Sequence, residues 1–126
     1  IEKIFSERLR ELNFGNIEGK TYTEIENEFP HYIDEMKNNW RYFKTDGGES
    51  LFDLQKRVVK KIDEIKENYK NKKILVMAHA GVIQSLISHY LFGNLDGYWK
   101  FRLDNGSITK MMVTDDNFIY FDYINK

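Results

Sequence analysis

With 126 residues, 31% of them charged and a net charge of −1, the chain is long enough to bury a core as a single domain. The near-neutral charge argues against binding nucleic acid or a membrane surface through bulk electrostatics, and no apolar run reaches the length of a membrane span. There are no cysteines, which excludes a disulfide framework and thiolate metal sites and fits a cytoplasmic protein.

Ile1 to Phe5 reads as a short edge strand. Gly15 and Gly19 punctuate a loop that ends at Thr21, an N-cap with Glu24 three residues on, which predicts a capping box and a short helix to Phe29. Pro30, the only proline, stops that helix. Residues 31–45 read as an irregular helical insertion rich in aromatics. Asp46-Gly47-Gly48 is a turn, and Ser50 with Asp53 predicts a second cap. Leu51, Leu54, Val58, Ile62, Ile65 and Tyr69 then recur at helical spacing. Near the end, Ser107 to Val113 and Phe118 to Tyr123 alternate around Asp115-Asp116-Asn117, the pattern of a β-hairpin.

Residues 72–83 carry the strongest local signal. Ile74, Leu75, Val76 and Met77 form the unbroken apolar run of a strand buried on both faces of a parallel sheet. Small residues follow, and then Val82, Ile83, Leu86, Ile87 and Tyr90 recur at helical spacing. The reading is strand, tight turn, helix, with His79 at the carboxyl end of the strand. Ligands bind at that edge of open α/β sheets, and the amides opening a helix favour an anion. Imidazole can carry positive charge near neutral pH and so can hold a phosphoryl group. The plain alternative is a histidine that caps a turn.

Two further clusters stand out. In Leu9-Arg10-Glu11-Leu12-Asn13-Phe14-Gly15, a carboxyl flanked by Phe14 and glycine is a candidate general acid, because partial desolvation favours the protonated form. A solvated surface carboxylate is the alternative. In Gly48-Glu49-Ser50 through Arg57, the local reading is structural: Ser50 caps the helix, and Asp53 with Arg57 forms an i,i+4 surface pair of about 0.2–0.5 kcal/mol.

In order, Leu9 to Gly15 with Glu18-Gly19, Gly48-Glu49-Ser50 with Asp53 and Arg57, Ala78 to Ile83, and Asn105 to Ile108 resemble the histidine phosphatase superfamily. These phosphoglycerate-mutase-like proteins include the bacterial α-ribazole phosphatases, the branch the chain is most similar to. No single piece is specific; the order along nearly the whole chain is. The resemblance implies an α/β fold, a three-layer sandwich with a mostly parallel sheet flanked by helices. It also implies phosphomonoester hydrolysis through a phosphohistidine, without metal or cofactor. Glu11 is then the general acid, His79 the second active-site histidine touching the phosphoryl oxygens, and the Ala80 amide its helper. The ligand is a small phosphomonoester, such as α-ribazole phosphate or a sugar or glycerate phosphate, or inorganic phosphate, with no nucleic acid or membrane partner. Activity favours neutral to mildly acidic conditions.

Where the family often has Trp and Gly, this chain has Ile17 and Ala80, changes that remove no catalytic group. The family's Arg-His-Gly motif, on its first strand, has no counterpart here, nor does a second phosphate-binding arginine. His31 reads as a surface residue and His89 as a helix residue near the core edge. Residues 1–126 are therefore expected to be the C-terminal two-thirds of a catalytic domain, lacking its first strand or strands and inactive alone. The chain alone is expected either to self-associate across an open edge at Ile74 to Ala78 or to be markedly less stable than the complete domain. The alternatives from other classes are a non-catalytic phosphate-ligand-binding module and an unrelated α/β ligand-binding domain.

Overall fold

Ser50 opens the longest helix in the computed structural model, which describes residues 1–126. Its hydroxyl accepts from the Asp53 amide while the Asp53 carboxylate accepts from the Ser50 amide, a complete capping box for α3, Leu51–Asn68. Leu51, Leu54, Val58 and Ile62 share one buried face, and Leu54 and Val58 are 0% exposed. Each such side chain contributes about 1.5–3 kcal/mol relative to full exposure. The stripe runs out at half-buried Ile65 and exposed Tyr69.

Thr21 and Glu24 repeat the capping box at the start of α1, Tyr22–Glu28. Pro30 ends that helix but also begins α2, Pro30–Asn38, at a position where a missing N–H costs nothing. The segment read as irregular is therefore a regular helix over its first part. Ile17, Ile25, Tyr32 and Ile33 form a small buried cluster between these helices and the Gly15 loop, with Phe29, Met36 and Phe43 packed on it.

The last α-helix, α4, Ala80–Phe92, closes on Gly93, whose φ of 77° supplies the left-handed C-cap. Val82 packs with Leu51, Leu54, Val58, Leu95 and Tyr98 in the main core, which Leu9, Leu12, Trp40, Ala78 and Leu86 extend. Buried Gln55 crosses from α3 to this layer, donating to the carbonyls of Ser85 at 3.0 Å and Asn94 at 3.1 Å. The predicted hairpin is present: β1, Lys110–Val113, pairs antiparallel with β2, Ile119–Tyr123, and Asn117 takes the turn at φ 63°.

One expectation of architecture needs correction. The only sheet within these residues is that two-stranded antiparallel hairpin, so no parallel ladder and no three-layer sandwich forms among them. Ile1 to Phe5 is not a strand, and residues 74–78 have no strand assignment and no backbone hydrogen bond to another segment. A β-strand exists only through a neighbour's N–H and C=O groups, and these two segments do not pair with each other. Ile74, Leu75 and Met77 are accordingly exposed rather than buried on both faces. No helix is long and apolar enough to cross a membrane.

Candidate active site

The Glu11 loop is built by stitching two turns together. Gly15, at φ 56°, lets the chain run so close to the Asp46–Gly48 turn that a side chain there would meet Asp46 O and Gly48 N. Asn16 N donates to Asp46 O at 2.9 Å, Glu49 N to Asn13 O at 3.0 Å, and the Thr45 hydroxyl to Phe14 O at 2.6 Å. The loop is thereby carried by the turn that leads into α3.

Within it, Glu11 points at the start of α4. Its carboxylate accepts from the Leu12 amide at 2.8 Å through Oε1 and from the Gly81 amide at 3.1 Å through Oε2. A side chain at Gly81 would collide with that carboxylate. His79 is the N-cap of α4 in extended geometry, and its imidazole makes no capping hydrogen bond, so the turn-capping alternative is not the conformation adopted. Both residues line one cleft of about 560 Å³, with Glu7, Arg10, Leu12, Asn13, Glu18, Glu49 and Arg57. His79 is exposed there and Glu11 half-buried, while Ala80, also exposed, is the next residue along and not part of the lining. Of the three histidines only His79 lines this cleft: His31 is exposed on α2 and His89 half-buried on α4.

The charges around the cleft are largely spoken for. Arg10 pairs with Glu7 at 2.7 Å, and Glu18 accepts from the Phe14 amide at 3.1 Å. Tyr98, in the core below, has its phenol pushed up to about 12, chiefly by burial and then by the negative charge of Glu11. Arg57 corrects a sequence expectation. It does not pair with Asp53, which is occupied in the capping box, but with Glu49, through Nε at 3.0 Å and Nη2 at 2.5 Å. Its remaining donors reach Arg8 O at 2.8 Å and Glu11 O at 3.1 Å. The available signal was position: Arg57 follows Leu54 by three residues and precedes Val58, at the margin of the buried stripe.

The description "Histidine phosphatase superfamily (branch 1)" matches residues 1–125. The chain belongs to the histidine phosphatase superfamily. It is 24% identical over 107 residues to Phosphoserine phosphatase 1 of Hydrogenobacter thermophilus, covering 85% of this chain and 51% of that one. Among solved structures, Bacillus stearothermophilus YhfR superposes with a TM-score of 0.79 at 26% identity, covering 93% of this chain and 58% of the other. The α-ribazole phosphatase from Shigella flexneri has the higher TM-score of 0.86 at 23% identity, over 96% of this chain and 59% of its own. That last likeness is one of fold. The chain spans 51% of the length of Phosphoserine phosphatase 1 and 60% of that of a second protein of the same organism, Putative phosphoserine phosphatase 2.

Proposed function

We propose that the intact protein is a phosphatase that hydrolyses a small phosphomonoester through a phosphohistidine, with Glu11 as general acid and base and His79 with the Ala80 amide holding the phosphoryl oxygens. The observation that carries the reading is that Glu11 and His79, distant in sequence, line one cleft while the Gly81 amide holds the Glu11 carboxylate at the mouth of α4. The charge of a transferring phosphoryl group is spread over its oxygens, so positioned positive charge and amide donors are what lower the barrier. The N-terminus of α4 adds its partial positive charge beside His79.

In the first step a P–N bond forms to the nucleophilic histidine as the ester P–O bond breaks, and the Glu11 carboxyl gives its proton to the departing alkoxide. In the second step water attacks phosphorus, Glu11 takes a proton from that water, and the P–N bond breaks to release phosphate. With His79 alone at the cleft, we place the nucleophilic histidine outside these 126 residues, where the family carries its Arg-His-Gly segment. That same single histidine favours, for residues 1–126 by themselves, phosphate binding without turnover. The substrate is drawn from small phosphomonoesters: an α-ribazole or amino-acid phosphate, the kinds named for two of the relatives above, or a sugar or glycerate phosphate.

Profiling the full-length protein against these esters tests the reading. His79→Ala is expected to lower turnover by about 10²–10³-fold, the scale of one lost donor to a developing charge. Vanadate should protect His79 from histidine-directed modification. Full turnover in the His79→Ala protein, or modification of His79 at the same rate with and without vanadate, would sink the assignment.

A further inference from the structure

We propose that Arg57 and Glu49 form a positioning unit that holds the Glu11 loop in register with α4, and that this register, not the stability of the pair, is what they supply. The inference rests on the general-acid role proposed for Glu11. One guanidinium makes four hydrogen bonds: two to Glu49, one to the Arg8 carbonyl and one to the carbonyl of Glu11 itself. Glu49 completes the frame by accepting from the Asn13 amide at 3.0 Å. The backbone on both sides of Glu11, at residues 8, 11 and 13, is thus tied to one rigid fork. Arg8 reinforces it with a bidentate pair to Glu64 of α3 at 2.6 and 2.5 Å.

Burial decides against a mere surface pair. The Arg57 and Glu49 side chains are 23% and 18% exposed, so both surrender hydration that a solvated pair would keep. Ion pairs in such places are poor sources of stability because desolvation offsets the attraction, whereas their directional hydrogen bonds define geometry. Lysine cannot substitute, since a single ammonium does not span a carboxylate and two carbonyls in fixed directions. The other end of the register is the Gly81 amide. It belongs to the first turn of α4, where amides have no partner inside the helix, so its protection from solvent depends on Glu11.

The test uses the full-length protein with Arg57→Ala, Arg57→Lys and Glu49→Gln, and Asp53→Ala as a control that disturbs the same helix start without touching the fork. Two readouts are taken. Amide hydrogen exchange at Leu12 and Gly81 should quicken in all three fork variants and stay unchanged in the control. Turnover should fall by about 10²-fold for an alkyl phosphate, which needs its leaving oxygen protonated, and by under about fivefold for p-nitrophenyl phosphate, which does not, with KM little altered. Arg57→Lys should not restore the alkyl ester. Unchanged exchange at the two amides, or equal losses on the two esters, overturns the proposal. Failure of the wild-type protein to hydrolyse any ester would overturn the phosphatase reading instead, and the exchange measurement would still decide whether the fork sets the register.

Discussion

Replacing Gly81 by alanine separates folding from chemistry at this site. A Cβ on Gly81 would stand 3.0 Å from Glu11 Cδ and Oε2, with Oε1 nearer still. The obstacle is the far end of a flexible side chain, so Glu11 swings away and the helix stays where it is. Alanine gains up to about 1 kcal/mol of helix propensity over glycine. Against that stands the bond from the Gly81 amide to the carboxylate at 3.1 Å, of the charged class worth about 1.5–3 kcal/mol. Glu11 is half-buried and water can replace part of the loss. The net change in stability is expected to lie within about 1 kcal/mol of zero, a shift in Tm of no more than a few degrees. In the role proposed for Glu11, catalysis has no such compensation, because moving an acid by about 1 Å can cost on the order of 10²-fold. Urea unfolding and kcat for an alkyl phosphomonoester, measured on the same full-length preparation, give the two numbers. A Gly81→Ala protein keeping turnover within about threefold of wild type would refute the reasoning, since Glu11 would not need its place against α4.

Alkaline stability offers a check that needs no substrate. The folded Tyr98 phenol holds its proton to about 12 while the unfolded one releases it near 10.0, so its contribution is whole below pH 10.0 and is lost as pH rises to about 12. Melts across that window should decline, and Tyr98→Phe should flatten part of the decline; Tyr90, pushed up by burial and by Asp63, accounts for another part. An unchanged slope in Tyr98→Phe would contradict the burial of the phenol. In the core, Leu54→Ala should cost about 2–5 kcal/mol by urea denaturation, because its fully buried side chain leaves a cavity between α3 and α4. A loss below about 1 kcal/mol would mean that the helices close up freely.

What was legible in the sequence is what depends on near neighbours. The capping boxes at Thr21–Glu24 and Ser50–Asp53 close over three residues, and both are formed. The buried stripe of α3 follows from helical geometry alone, and the hairpin from alternation and a short turn. Residues 74–78 form no strand for the opposite reason: an apolar run states a preference for burial, but a ladder requires a second segment that the run itself does not specify. The site divides in the same way. The start of α4 at Ala80 was readable from small residues followed by helical spacing. That the Gly81 amide would meet Glu11 was not, because nothing local in either segment refers to the other. Arg57 is the plainest case. The i,i+4 rule sees only its own helix and assigns it to Asp53, whereas the folded chain already uses Asp53 as a cap and brings Glu49 and two loop carbonyls within reach. A long side chain takes the partners that tertiary packing puts at its tip, and those are set by how α3 lies under the Glu11 loop rather than by its sequence neighbours.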